Sequence, residues 1–216
     1  MTLDDIIAGF RKTATASVAD AVDKVAGRTG FLPPTFAARI NDKKIVGPAV
    51  TVLEGPTEES VPPQHALDAI DGSAPGSVIV ISTDGSTDVA VWGGLMTAGA
   101  VANKHEGAVL DASVRDIAEI RRDYDFPVYA RGACTGTTVG RVKTLDANID
   151  VSMGGVTVSP GDIIVGDYDG VVCVPREHAE AVLHMALDID KREAEQARLI
   201  IESGSLKEGL AKYGRI

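Results

Sequence analysis

Between residues 78 and 130 short aliphatic runs alternate with stretches of helical periodicity, and few folds accommodate that alternation. Val78-Ile-Val-Ile81 is apolar at every position, the pattern of a strand buried on both faces. Val89–Trp92 reads as a second short extended segment, followed by a helix from about Gly94 to His105. A strand at Ala108–Leu110, a helix at Val114–Asp123 and a strand at Pro127–Ala130 complete a β-α-β-α-β rhythm. Strands separated by helices of this length pair in parallel, because each crossover must return the chain to the same edge of the sheet.

The flanks add to that unit without dividing from it. Apolar Ile6, Ile7 and Phe10, then Val18, Val22 and Val25, recur at helical spacing and predict helices over 3–12 and 14–26. The β-branched run Lys44–Leu53 predicts a strand, with Pro48 suggesting an edge or an irregular start. QHALDAID predicts a short helix over 64–71, closed by Gly72 and Pro75. After Gly132 the chain breaks into short strands at 139–143, 149–152, 156–158, 162–166 and 171–174. Asp169-Gly170, between two of these, reads as a hairpin turn and not as a metal loop. A long helix from about Arg176 to Glu202 follows, with a turn or two beyond Gly204. No linker or internal repeat intervenes, so the expectation is one α/β domain over 1–216, with a mixed sheet core and a long C-terminal helix.

Charge and composition exclude several functions. Against 21 Lys and Arg stand 31 Asp and Glu, a net charge of −10, and no basic run occurs; binding nucleic acid requires cations to neutralise phosphates. No apolar stretch approaches the ~20 residues of a membrane helix. The N-terminal MTLDDIIAGFRK sets aspartates where an export signal carries positive charge. Cys134 and Cys173 have no nearby partner and read as idle thiols. Together these predict a cytoplasmic protein that binds neither nucleic acid nor membrane. Its four histidines show no four-residue helical spacing, so a histidine zinc site is not expected. His65 and His105 read as surface or interface residues.

Chemistry concentrates in Val91-Trp-Gly-Gly-Leu-Met-Thr-Ala-Gly-Ala100 and Gly107-Ala-Val-Leu-Asp-Ala-Ser-Val-Arg-Asp116. Gly93 and Gly94 stand at a strand-to-helix junction, where glycines permit a tight turn and close approach of a ligand. The first amides of the following helix, at Gly94, Leu95 and Met96, have no partner within it and suit a carboxylate. Arg115 and Asp116 open the next helix, and adjacent parallel strands would bring both turns to one edge of the sheet. There Arg115 can grip a carboxylate or enolate oxygen, and Asp116 can hold Mg²⁺. The dipeptide alone more often means a helix-dipole aspartate beside a surface arginine. Among neighbouring features, the glycine- and threonine-rich 132–140 reads as a flexible loop that can flank the pocket. Arg131 before it can add a positive contact, and Trp92 is expected to pack beneath the turn.

The stretch WGGLM…GAVLDASVRD followed by FPVYARG resembles the RraA-like family, which includes the 4-hydroxy-4-methyl-2-oxoglutarate / 4-carboxy-4-hydroxy-2-oxoadipate aldolases. TASVADAVDK, KIVGPAVTV, HALDAIDG and GVTVSPGDIIVGDYDGVVCVPRE resemble family segments in the same order. The resemblance implies the swivelling β/β/α fold and a metal-dependent lyase that cleaves 4-hydroxy-2-oxo acids to pyruvate, with oxaloacetate decarboxylation as a related activity. It implies that Arg115 binds substrate, that Asp116 ligates Mg²⁺ or Mn²⁺, and that the Gly93–Met96 turn holds the substrate carboxylate on the amides of Leu95 and Met96. It also implies homotrimers or dimers of trimers, in which an acidic residue of a neighbouring C-terminal helix, Glu193 or Glu195 with Glu193 preferred, joins the site.

One departure stands out. Where the aldolase pattern has an acidic residue holding a metal-bound water, this chain has Gly94. Asp84, Asp88 or Asp111 are the candidates to replace it, or a metal-bound water acts alone. Two other functions remain open at this point: a protein-binding regulator of a ribonuclease or helicase on the same fold, and an enolate-forming enzyme acting on a sugar acid, for which Gly94 would open room.

Overall fold

The computed structural model describes residues 1–214. In chain order the elements are α1 (Leu3–Phe10), α2 (Thr15–Ala26), β1 (Ala37–Ala38), β2 (Ile45–Pro56), α3 (Gln64–Gly72), β3 (Val78–Ser82), β4 (Ala90–Trp92), α4 (Gly94–Ala102), β5 (Gly107–Val114), α5 (Ile117–Asp123) and β6 (Val128–Ala133). There follow β7 (Val142–Ala147), β8 (Val151–Met153), β9 (Val156–Val158), β10 (Ile163–Asp167), β11 (Gly170–Val174), α6 (Ala179–Ser203) and α7 (Leu206–Tyr213), with a short 3₁₀ turn at Arg176–His178 before α6.

The alternating middle section is parallel, as its rhythm requires. β3 lies between β2 and β5, both parallel to it, and β6 runs parallel on the far side of β5. All eight residues of β5 are buried. The strand therefore extends beyond the predicted 108–110, taking in Asp111 and Val114, and α5 starts at Ile117 instead of Val114. The sequence pattern hid this because Asp111 and Ser113 interrupt the aliphatic run while remaining inside. Each is satisfied there, Asp111 by Arg131 Nη1 at 2.9 Å and Ser113 by donating to Thr87 O at 2.8 Å.

β2 changes partners along its length. Ile45–Pro48 pair antiparallel with β10, Ala49–Leu53 parallel with β3, and Val52–Pro56 antiparallel with β7. This corrects the edge expected from Pro48. Ala49 N–H turns to Asp162 O on the β10 side, so Pro48 turns its nitrogen to the other side, where β3 has not begun. A missing donor costs nothing there. β4 pairs with the end of β5, and a bridge from Ala90 to Thr137 links β4 to the segment leading into β7. The nine-stranded sheet thus curls toward a closed barrel. β7 begins at Val142, three residues later than the predicted strand at 139–143, because 137–141 form this linking segment. The 10–11 hairpin turns at Asp167–Gly170 as its Asp-Gly predicted.

Three apolar clusters hold these parts together. One lies between the sheet and α3, α4 and α5, around Ile79, Ile81, Leu110 and Trp92. A second is closed by the β8–β9 hairpin, around Phe36, Val80, Tyr129 and Met153. The third lies under α1, α2 and α6, around Phe10, Val22, Ile163 and Leu183. His105, expected at the surface or an interface, is buried just beyond α4 within the chain, with Nε2 2.7 Å from Ile70 O. Among the described residues no helix is long and apolar enough to cross a membrane.

Candidate active site

The register of two short strands places the site. β4 and β5 pair Ala90 with Ser113 and Trp92 with Val114, and Arg115 N–H extends the ladder one step by donating to Trp92 O at 2.9 Å. The two chain ends thus leave the sheet side by side, and the turn at Gly93–Gly94 faces Arg115–Asp116. The turn is fixed from below. Trp92 stacks on Phe126, with ring centroids 6.1 Å apart, and its indole Nε1 donates to Thr97 Oγ1 at 2.8 Å. That hydroxyl donates in turn to Gly93 O at 3.0 Å.

Gly93 is extended, at φ −158° and ψ −168°, a conformation open to any residue. Its need for a bare Cα is steric: a Cβ would stand 2.7 Å from Asp116 Oδ2 and 3.2 Å from Arg115 Cγ. Asp116 itself sits at φ 58°, a left-handed conformation that Asp tolerates better than most residues and that costs on the order of 1 kcal/mol. The strain turns its carboxylate away from its own helix. As the N-cap of α5 it makes no side-chain cap bond; instead Oδ2 accepts the Gly94 N–H at 3.0 Å. Arg115 Nε lies 3.5 Å from the same oxygen, and both side chains are partly open to solvent.

The first hydrogen bond within α4 is Thr97 N–H to Gly93 O, so the amides of Leu95 and Met96 belong to the open helix start. Leu95 projects its side chain outward, 89% exposed. Gly93, Gly94, Leu95, Met96, Arg115 and Asp116 all line one cavity of about 230 Å³. Its remaining walls are Pro63 and Leu67 from the start of α3, β4, and Thr137, Thr138 and Val139. The glycine- and threonine-rich segment therefore forms part of the wall instead of hanging free. Arg141 braces it, donating to Thr137 O and Val139 O at 3.2 and 3.4 Å. On the other side of Arg115 and Asp116 lies an open cleft of about 630 Å³ bounded by Ile117, Cys134 and Thr135.

Other predicted residues lie elsewhere. Arg131 is engaged with buried Asp111 at 2.9 Å and lies over the Phe36 ring at 5.9 Å, which removes both Arg131 as a substrate contact and Asp111 as a free base. Asp84 and Asp88 line neither cavity. Glu193 lies on α6 in a separate cavity of about 40 Å³ with Lys24, Arg192 and Tyr213; within one chain it does not meet Arg115–Asp116. Gly94 leaves room that the Glu119 carboxylate fills: a Cβ there would stand 2.5 Å from Glu119 Oε1. Glu119 escaped the sequence reading because an acid three residues into a helix normally reports capping.

Among the described residues no group of three or more His, Cys, Asp or Glu could hold a metal. The donors present suit an ion that takes one or two protein carboxylates and keeps its waters, the habit of Mg²⁺. Asp116 fits: one of its oxygens accepts from Gly94, and the carboxylate is partly exposed beside the cavity.

Residues 15–173 match the model of a family described as "RraA-like: Aldolase/RraA". A Halalkalibacterium halodurans protein named "Putative 4-hydroxy-4-methyl-2-oxoglutarate aldolase" is 34% identical over 185 residues, covering 84% of this chain and 82% of that protein. Protein DlpA of Legionella pneumophila is 32% identical over 208 residues, 96% of this chain; the chain spans only 33% of DlpA. A crystal structure of an uncharacterized protein from Pseudomonas syringae pv. tomato superposes with a TM-score of 0.88 at 30% identity, covering 98% of this chain and 95% of that one.

Proposed function

Because the chain belongs to the RraA-like family, and because the Arg115–Asp116 pair meets an open helix start across a cavity, we propose that it is a divalent-metal-dependent lyase. It cleaves 4-hydroxy-2-oxo acids to pyruvate by retro-aldol chemistry, and decarboxylates oxaloacetate through the same pyruvate enolate. The observation that carries this reading is the register that sets Gly93–Gly94 against Arg115–Asp116.

The roles follow from charge and position. The substrate carboxylate docks on the amides of Leu95 and Met96, where a helix start favours an anion. The Arg115 guanidinium faces the 2-oxo oxygen and offsets the negative charge that builds there as the bond breaks. Asp116 is the residue that would hold Mg²⁺ or Mn²⁺; a bound ion supplies Lewis-acid polarisation of the oxo acid. Leu67, Met96 and Val139 give the cavity apolar walls beside these polar groups. The protein works as a homotrimer or a dimer of trimers, with Glu193 of the partner subunit completing the site.

A lactate-dehydrogenase-coupled assay on 4-hydroxy-4-methyl-2-oxoglutarate and oxaloacetate tests the reading. Pyruvate should form, stop on adding EDTA, and fall at least ~100-fold in Arg115→Ala, the scale of losing one positioned charge in an enclosed site. Mixing inactive Arg115→Ala and Glu193→Gln subunits should restore part of the rate if the two residues meet between chains. EDTA-resistant turnover, or full activity in Arg115→Ala, would refute the mechanism.

A further inference from the structure

Within one chain the cavity lining lacks a group to move a proton. Cleaving the bond between C3 and C4 of a 4-hydroxy-2-oxo acid requires that the C4 hydroxyl lose its proton, and that a proton later reach C3. Of the residues lining the cavity only Arg115 and Asp116 ionise. Arginine does not give up its proton in proteins, and Asp116 is committed to Gly94 N–H and, on the reading above, to the metal. Asp111 is buried in its pair with Arg131.

A third carboxylate, outside the cavity lining itself, stands against the lining residue Gly94. Glu119, one turn into α5, brings Oε1 and Cδ to within 2.5 and 3.0 Å of where a Cβ on Gly94 would stand. Acids at the cap and third positions of a helix ordinarily serve its own first amides. Here both turn to the neighbouring turn: Asp116 to the Gly94 N–H, Glu119 to the Gly94 Cα. Gly94 carries no positive φ that would demand glycine, and glycine in a helix is unfavourable relative to alanine. What glycine provides at this position is room for the Glu119 carboxylate.

We propose that Glu119 is the proton-transfer group of this site, acting across Gly94 on the substrate's C4 hydroxyl directly or through one water. The inference rests on the lyase reading above. In the forward step Glu119 takes the hydroxyl proton, the O–H electron pair becomes the second bond of the new carbonyl, and the C3–C4 bond breaks. Its electron pair passes to the pyruvate enolate. Glu119 then returns the proton to C3, so the products are pyruvate and one carbonyl compound, with no external oxidant or reductant.

The test uses the full chain with Mn²⁺, carrying Glu119→Ala, Gly94→Ala, the two combined, or Gly94→Asp with Glu119→Ala. Three quantities are read: kcat and KM for cleavage, exchange of the pyruvate methyl protons in D₂O by NMR, and Mn²⁺ affinity by EPR. Glu119→Ala should lower kcat and exchange about 100-fold, the usual contribution of a positioned acid–base group, with KM within about threefold and Mn²⁺ affinity unchanged. Gly94→Ala should do the same, because its methyl displaces the flexible Glu119 carboxylate, and the combined variant should be no worse than either alone. Gly94→Asp should recover at least tenfold of the Glu119→Ala loss by supplying a carboxylate from the other side of the contact. Wild-type kcat and exchange in Glu119→Ala, losses that multiply in the combined variant, or lost Mn²⁺ affinity would each overturn the role. Exchange without cleavage in the wild type would defeat the substrate reading and leave Glu119 testable by exchange alone.

Discussion

At the scale of the residue, Glu54 is the side chain least at ease in its surroundings. It lies on β2 opposite Thr144 of β7, only 2% exposed, and among the described residues neither carboxylate oxygen has a hydrogen-bond partner. Burial without a compensating charge penalises the ionised form and raises its pKa from 4.5 to about 8. The folded protein therefore keeps a proton that the unfolded chain releases above pH 4.5. Unfolding between pH 4.5 and about 8 releases that proton, so this residue makes the fold less stable as the pH rises through the window, by up to about 1.4 kcal/mol per unit. Glu54→Gln, which keeps the shape and cannot ionise, should lose less stability than the wild type between pH 5 and pH 8. Urea denaturation at both values measures this, and equal pH slopes for the two proteins would rule it out.

At the scale of the element, strand contacts are tightest where backbone meets backbone. A Cβ on Gly47 would stand 2.1 Å from Gly76 O, and a carbonyl held at the entrance to β3 cannot swing aside as a side chain can. Gly47→Ala should cost about 3 kcal/mol, the upper range of overpacking, read as a lower urea midpoint with little change in slope. A loss below ~0.5 kcal/mol would mean that the entrance to β3 yields. Much of the element plan was legible in the sequence. Val78–Ile81, the helices at 14–26 and 64–71, and the Asp-Gly hairpin carried periodicity or turn chemistry strong enough to place them. Less legible were features set by distant partners. β5 runs through Asp111 and Ser113 because Arg131 and Thr87 satisfy them, and β2 keeps Pro48 inside because β3 starts one residue later. β1, two residues long, exists only through its pairing with β6. In the site, the Gly93–Gly94 turn could be picked out by its glycines at a helix start, and Arg115–Asp116 through the family resemblance that surrounds it. Glu119 could not, because its importance depends on which way its side chain turns.

At the scale of the whole molecule, the net charge of −10 offers an anionic ligand no attraction from the overall field, so Arg115 and the open α4 amides are the local groups that favour an anion. The sheet that supplies this arrangement closes on itself unevenly. On most sides whole strands are paired, but between β4 and β7 the closure is a single bridge from Ala90 to Thr137, with Ala90 N–H donating to Gly136 O at 2.9 Å. This thin seam is also a wall of the cavity at Arg115–Asp116. Local opening is cheapest where few backbone bonds must break, so the Ala90 amide should exchange with D₂O at least ~100-fold faster than the amides of Val80 and Val109 in the paired centre of the sheet. Equal protection by NMR would show that the seam is as firm as the rest. The faster exchange expected of Ala90 would instead mark a preferred line of parting along the cavity wall, while the load of stability is carried elsewhere.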